Sequence, residues 1–390
     1  VRPGAVIVMG GPDPSVRSRR ILEAGHADYC IVGEGEDAFR EFVAAISAGN
    51  DPAGVPGVAC MRDGAYIYQP RTFNADLDRL PFPAYDLIDP RMYLKNRDLY
   101  RNRSFIHDAS MSMITSRGCP YGCVFCSIHL HMGRRFRFHS AEYVLRHLRY
   151  CIGHFGIRTF HFEDDNISLD RERFDAILDG IISERMDIRW DTPNGVRADT
   201  LDRDLLEKIS LSGCRQLTLA FESGSQRVLD DVIRKKTSLA AMVKIAELCR
   251  ELRILTNAFY VVGFPGETVA EMRETTALAL ELLRRCEILP NLFVATPLYG
   301  TVLYETCIEK GYIEGNPSPE ELAKSTQIIG EPLITTETFT ADDVRAVLRD
   351  YRSRLKKELI RFSLKHPLYA ARRICDKAGV VWKLLKPSEP

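Results

Sequence analysis

Short apolar runs alternate along this chain with longer stretches whose apolar residues recur at three- and four-residue intervals. Residues 5–9 (Ala5-Val6-Ile7-Val8-Met9) form a continuous apolar run of the kind a buried strand carries, stopped by the turn Gly10-Gly11-Pro12. Ser15 to Ala24 predicts a helix and 27–32 a second strand; Gly33-Glu34-Gly35-Glu36 then opens an amphipathic helix ending near Gly49. This alternation predicts a parallel sheet covered by helices. Residues 57–69 add a hairpin with Asp63-Gly64 at its turn. Pro81, Pro83 and Pro90 mark a linker.

A second series starts at Met111. Strand patterns lie near 111–116, 158–163, 188–192, 215–221, 257–262 and 291–296. Helical patterns fill the gaps at 140–152, 171–185, 202–212, 238–253 and 268–285. Repeated strand–helix units predict a parallel (β/α)6-type barrel, complete or partial, with its chemistry at the C-terminal strand ends. Helical stretches at about 340–363 and 367–386 close the chain. The expected division is a partial Rossmann-like module over 1–85 with a linker to about 108, a barrel over 109–305, and a basic helical extension over 306–390.

Composition narrows the class. The chain has 390 residues, 45% hydrophobic and 27% charged, which is the make-up of an ordinary soluble globular protein. Formal charge is zero, with cations gathered towards the C-terminus. No run approaches the roughly 18 apolar residues of a membrane span, and no signal peptide opens the chain. The first residue is Val1 rather than Met, so the chain is read as a fragment. The segment from Arg372-Arg373-Ile374 to Trp382-Lys383-Leu384-Leu385-Lys386 mixes cationic and apolar residues. Such a helix either packs on the barrel with a solvated basic face or touches a membrane surface, which would suit a lipid-like substrate. Nucleic acid is not expected, because no stacking platform accompanies the charge.

Eleven cysteines are present. Cys30, Cys60, Cys151, Cys214, Cys249, Cys286, Cys307 and Cys375 stand singly, mostly among apolar residues, and read as plain buried thiols. Cys119, Cys123 and Cys126 instead share the loop Thr115-Ser116-Arg117-Gly118-Cys119-Pro120-Tyr121-Gly122-Cys123-Val124-Phe125-Cys126, directly after a strand. Clustering of this kind suits a metal site in a reducing cytoplasm. Gly118, Pro120 and Gly122 let a short backbone wrap a cofactor. Three thiolates can hold three irons of a [4Fe-4S] cubane and leave the fourth open. From spacing alone, zinc is the competing ligand, with His129 or His131 as fourth donor.

The Cys-x3-Cys-x2-Cys spacing with Phe125 before its last member resembles the hallmark of the radical S-adenosylmethionine (SAM) superfamily, and the resemblance runs from Met111 to about Tyr304. It implies a [4Fe-4S] cluster on the three cysteines, SAM as cofactor, and an electron donor such as flavodoxin or ferredoxin. Residue by residue, it implies that Glu163, Asp164 and Asp165 in His161-Phe162-Glu163-Asp164-Asp165-Asn166 receive the SAM amino group. Asn194 and Arg197 would face the cavity, and Glu222 and Ser223 would meet the ribose and carboxylate. Gly263, Phe264, Pro265 and Gly266 would back the adenine, and Pro297-Leu298-Tyr299-Gly300-Thr301 would close the cavity. Lys235 and Lys236 read instead as a solvated helix end. No catalytic residue is assigned beyond the cluster. Residues 1–85, through Gly10-Gly11-Pro12, Asp28 and Gly33-Glu34-Gly35-Glu36, resemble the second half of a cobalamin-binding domain, in which Gly10 and Gly11 would lie near the nucleotide tail. Strands of a first half have no counterpart here. The implied reaction is cobalamin-dependent methylation of an unactivated carbon in a small-molecule or lipid-like substrate. Cyclisation or other C–C bond formation, a methylthiotransferase, a non-catalytic zinc module and a degenerate fragment are the alternatives.

Overall fold

A computed structural model describes residues 4–88 and 110–366. The second part of the linker, Cys375 and the basic stretch 367–386 lie outside the described residues. The first sheet comprises β1 (Val8–Gly10), β2 (Tyr29–Ile31), β3 (Val58–Arg62) and β4 (Ala65–Tyr68), in that spatial order. Helices α1 (Pro12–Glu23) and α2 (Glu36–Ser47) join its first members. The expected strand–helix alternation is present, but the sheet is mixed: β1 and β2 run parallel, while β3 and β4 return antiparallel through the hairpin. Helix α1 starts at Pro12, earlier than its apolar pattern, because proline at the first turn needs no backbone donor.

Next come β5 (Ser110–Met113), β6 (Ser116–Arg117), α3 (Ile128–His131), β7 (Arg137–Phe138), α4 (Ala141–Phe155), β8 (Thr159–Phe162), α5 (Arg171–Ser183), β9 (Arg189–Asp191), α6 (Arg203–Leu211) and β10 (Cys214–Glu222). Then follow α7 (Leu239–Glu251), β11 (Thr256–Val262), α8 (Val269–Cys286), β12 (Leu289–Val294), α9 (Val302–Glu309), α10 (Pro319–Ser325) and α11 (Ala341–Lys365). Six parallel strands lie in the order β12-β11-β10-β9-β8-β5. No hydrogen bonding joins β5 to β12 among the described residues, so the barrel is the partial form.

Alternation along these strands separates two chemistries. Phe160, Phe162, Trp190, Leu219, Phe221, Tyr260 and Leu292 pack with Leu148, Ile177, Leu206 and Leu280 of the helices in one core. His161, Asp191, Thr218 and Glu222 occupy the intervening positions and are buried but polar. Side-chain caps fix where helices begin. The Ser140 hydroxyl accepts from Tyr143 N, and Thr268 with Glu271 forms a reciprocal capping box on α8. The described part of the linker straps across α4: Phe82 stacks on His147 at 4.3 Å, and the Tyr143 hydroxyl donates to Leu80 O.

Strand β10 leaves the sheet against α8, and glycine makes this approach possible. A Cβ on Gly224 would lie 2.7 Å from Thr275 Cα and 2.9 Å from Glu274 O, both backbone atoms that cannot swing aside. Gly153, in α4, has nothing within 4 Å of an added Cβ. Gly224→Ala should therefore destabilise the protein by about 1–3 kcal/mol. Gly153→Ala should stabilise it by roughly 0.5–1 kcal/mol through lower unfolded-chain entropy. Urea unfolding of both variants checks the pair; equal midpoints would contradict the packing described.

Candidate functional site

The cysteine loop has little regular structure of its own and is held from outside. A short antiparallel ladder, unforeseen in the sequence, pairs Ser116 with Phe138 and Arg117 with Arg137 and closes the loop's neck. Gly118 sits at φ 80°, and a Cβ there would be 2.4 Å from Arg135 O, so only glycine fits. Val124 N donates to Ile233 O at 3.1 Å and its carbonyl accepts from Leu303 N at 2.9 Å, tying the loop to the turn after β10 and to α9.

The three thiols are half-buried and free. Burial pushes each up, Cys126 to about 12. They lie within one another's electrostatic reach, since Cys119 and Cys123 both raise Cys126. Arg197 and Lys235 pull Cys119 and Cys123 down, while Asp165 raises Cys119 and Cys126. Among the described residues, no three His, Cys, Asp or Glu side chains converge on one point. Three thiols in one short loop beside two buried cations fit a polynuclear iron–sulfur group. Its thiolates bring negative charge that Arg197 and Lys235 offset.

Both cations are themselves fixed. Arg197 grips Asp199 with two nitrogens at 3.0 and 2.6 Å, donates to Lys235 O at 3.1 Å, and lies 3.7 Å from the centre of the Tyr121 ring inside the cysteine loop. Lys235 corrects a sequence expectation. It is 3% exposed, not a solvated helix end, and its Nζ donates to Glu222 Oε1 at 3.0 Å and to Ala220 O. Glu222 stands at φ 66° immediately after a register shift in β10, which turns its carboxylate towards that ammonium. A buried carboxylate in an apolar strand needs such a partner.

The acidic run after β8 divides. Asp164 Oδ1 accepts from Thr115 N (3.1 Å), Thr115 Oγ1 (2.8 Å) and Ser116 Oγ (2.5 Å), and Arg173 donates to Thr115 O and Oγ1 behind it. The expectation that Asp164 receives a ligand amine is thereby corrected: its carboxylate is committed to the start of the cysteine loop. Asp165 is pushed up to about 7 by burial and by Asp164, and its field reaches two of the thiols. Glu163 Oε1 accepts from Ser112 Oγ at 3.2 Å. Asn194 Nδ2 donates to Glu163 O at 2.7 Å, which joins the β8 and β9 loops.

Ser223 is also corrected. It is fully buried, and its hydroxyl lies 3.1 Å from Thr275 Oγ1 on α8, on the helix side of the strand. Phe264, expected against adenine, is fully buried and packs on Phe125 with ring centres 5.7 Å apart, so it supports Phe125 from behind. Gly263 and Gly266, on either side of Phe264-Pro265, have φ 91° and 90°. In the first sheet, Gly10 and Gly11 are exposed, and an added Cβ on Gly11 (φ 105°) would meet nothing within 4 Å. That turn is an exposed surface at the end of a parallel strand pair. Ser15 Oγ donates to Gly11 O and accepts from Gly33 N, joining the two glycine turns.

Glu267 was missed in the sequence. Its Oε2 accepts from Gly263 N (2.7 Å) and Phe264 N (3.1 Å), fixing the glycine turn, and burial pushes its carboxyl up to about 8. The folded protein thus binds this proton more tightly than the unfolded chain. The resulting stability is complete below pH ~4.5 and declines by roughly 1 kcal/mol per pH unit up to pH ~8. Glu267→Gln keeps the acceptor and removes the titration. Chemical denaturation from pH 4.5 to 8 should show the variant gaining on the wild type as pH rises; parallel profiles would refute a protonated Glu267.

Comparison with known proteins adds a family match over part of the chain. The model of the radical SAM superfamily matches residues 113–279. The chain is 29% identical over 346 residues to an uncharacterised methyltransferase, PH0819, of Pyrococcus horikoshii, covering 88% of this chain and 70% of that protein. It is 26% identical over 386 residues to the cytidylyl-2-hydroxyethylphosphonate methyltransferase of Streptomyces wedmorensis, covering 91% and 70%. Among solved structures, the radical SAM methyltransferase TsrM of Kitasatospora setae, with tryptophan substrate and the SAM analogue aza-SAM bound, matches with a TM-score of 0.64 at 20% identity, over 80% of this chain and 60% of that one. At that identity the likeness is one of fold.

Proposed function

Because residues 113–279 are a radical SAM domain, we propose that this chain catalyses reductive cleavage of SAM and methylation of an unactivated carbon in a small organic substrate. The observation that carries the proposal is the set of three half-buried thiols, Cys119, Cys123 and Cys126, in one glycine-gated loop beside buried Arg197 and Lys235. A [4Fe-4S] cluster on those thiols supplies, when bound, the single electron that cleavage of a sulfonium requires. Cobalamin, proposed from the Gly10-Gly11 turn and from the methyltransferase relatives, supplies the methyl carrier.

The remaining work belongs to the chain. Arg197 and Lys235 hold negative charge at the thiols and favour their deprotonated, ligating form. Asp165 and Glu163, at the C-terminal edge of β8, are placed to accept hydrogen bonds from the amino group of SAM, an ammonium–carboxylate pairing stronger than a neutral one. Asn194 braces the Glu163 backbone from the next loop. Glu222, already held by Lys235, is placed to accept from ribose hydroxyls. Gly263 and Gly266 leave the backbone bare for a flat ring to lie on, while Phe125 backed by Phe264 excludes water from the thiols. Asp164, Ser223 and Glu267 position these groups without touching a ligand. A flavodoxin- or ferredoxin-type donor and residence in the cytoplasm belong to the same proposal. No helix among the described residues is long and apolar enough to cross a membrane.

The protein reconstituted anaerobically with iron, sulfide and hydroxocobalamin, reduced, and given substrate-bearing extract with methyl-deuterated SAM should form 5′-deoxyadenosine and a product heavier by a deuterated methyl group. Replacing Cys119, Cys123 and Cys126 by Ala should abolish the cubane EPR signal and all turnover. A signal that survives the triple substitution would sink the proposal. A product of unchanged carbon count would remove methylation and leave ring closure.

A further inference from the structure

The motif Gly33-Glu34-Gly35-Glu36 lies between β2 and the start of α2, yet its carboxylates point at the neck of the cysteine loop. At the neck of the cysteine loop, Arg117 and Arg137 face each other as register partners. Two like charges directly opposite on an antiparallel pair repel. Both are sequestered: the Arg137 side chain is 2% exposed and that of Arg117 17%. Glu34, with a side chain 10% exposed, lies against both. Arg137 Nη1 donates to its two oxygens at 2.7 and 2.9 Å, and Arg117 Nη1 lies 3.2 Å from Oε1. Glu36 Oε1 accepts from Arg117 Nη2 at 2.5 Å.

From this we infer that Glu34 is a clasp for the cysteine loop: one carboxylate from the first sheet neutralises two opposed arginines and holds the loop's ends together. The surroundings support a built junction. Arg137 also donates to Asn74 O (2.9 Å) and Met132 O (2.6 Å), the latter inside the loop. Its guanidinium lies 5.0 Å from the Phe73 ring, and that ring fills the space where a side chain on Gly133 would be, 2.8 Å from an added Cβ. Gly133 O in turn accepts from Cys119 N at 3.4 Å. A contact path thus runs from Glu34 through Arg137 and the Met132–Gly133 backbone to the first cysteine. Gly33, at φ 82° with its N–H on Ser15 Oγ, fixes the turn that presents Glu34. Both Glu34 oxygens are engaged, so this carboxylate serves the loop.

Glu34 acts through Arg117 and Arg137 and is therefore a positioning residue. Removing its charge leaves two buried, opposed cations with only exposed Glu36 to balance them, and such a neck opens. The first sheet then acts as a structural part of the cluster site, whatever else it binds.

The inference rests on the cluster reading for its consequence but not for its geometry, so two measurements separate them. Hydrogen–deuterium exchange of the iron-free protein, read by mass spectrometry, should show peptides across 116–138 exchanging about tenfold faster in Glu34→Gln, with β10 and β11 unchanged. In the reconstituted protein, the same variant should lose iron to a chelator about tenfold faster. Glu34→Gln with Arg117→Gln, which removes the opposed charge, should recover most of both losses. Glu41→Gln, which breaks a pair between α2 and Arg71 just after β4, should change neither. Exchange and iron loss within twofold of wild type in Glu34→Gln would overturn the clasp. If Glu34→Gln loosens the whole protein, Glu34→Asp decides: faster exchange confined to 116–138 supports the clasp, and uniform or unchanged exchange overturns it. A wild type that takes up no cluster, while its loop still depends on Glu34, would defeat the proposed function and leave the clasp standing.

Discussion

A loop that must carry three ligands cannot stiffen itself with a helix or a sheet, because either would turn the side chains to fixed and wrong directions. Its order has to come from neighbours, and every neighbouring element here supplies some. The β6–β7 ladder closes the neck. Val124 hooks the middle of the loop to the segment after β10 and to α9 through two backbone hydrogen bonds. Asp164 grips Thr115 and Ser116 just upstream through four hydrogen bonds. Glycine at 118 and 133 lets carbonyls and the Phe73 ring come closer than any side chain would allow.

Burying charge is the second constraint, and it shapes which residues surround the thiols. An isolated ion in such a place would cost several kcal/mol, so each is matched. Asp164 faces the hydroxyls of the cysteine strand with Arg173 behind them, Glu222 faces Lys235, and Arg197 faces Asp199. Even so paired, Arg197 and Lys235 pull Cys119 and Cys123 down, while Asp165, whose neighbour Asp164 is already engaged, raises Cys119 and Cys126. Charges of both signs beside the thiols suit thiolates next to a zwitterionic ligand.

This also explains what could be read from the chain beforehand. Strand and helix patterns are local, so the six strands and their helices fall where periodicity puts them. The cysteine trio is equally local, with its ligands, helix breakers and aromatic contained in one short segment. Partnership is not local. Lys235-Lys236 looks like any solvated helix end, and only the return of the chain beneath β10 buries the first of the two while leaving the second exposed. Asp164 and Asp165 look equivalent, but successive residues at a strand end face opposite ways. The hydroxyl pair Thr115-Ser116 was the available hint that one of the two carboxylates would be consumed. Glu34 was visible as part of a motif, yet its partners lie 83 and 103 positions away, beyond anything that periodicity reports.

The open sheet finally shows why the polar residues gather on one wall. Along β8, β9 and β10, His161, Asp191, Thr218 and Glu222 alternate with the large core residues, and His161 Nδ1 lies 2.7 Å from Asp191 Oδ1 with both side chains 2% exposed. Along β11 and β12 the same positions carry Asn257, Phe259, Val261, Asn291 and Phe293, half-buried and uncharged, with the rings of Phe259 and Phe293 edge to face at 5.5 Å. Arg197, Lys235 and the acidic run all issue from the β8–β10 side. A polar wall is sustainable only where neighbours can pair it, and those neighbours are the ones that hold the cysteine loop. The lumen's division into a charged half and an uncharged half thus follows from where the loop is anchored.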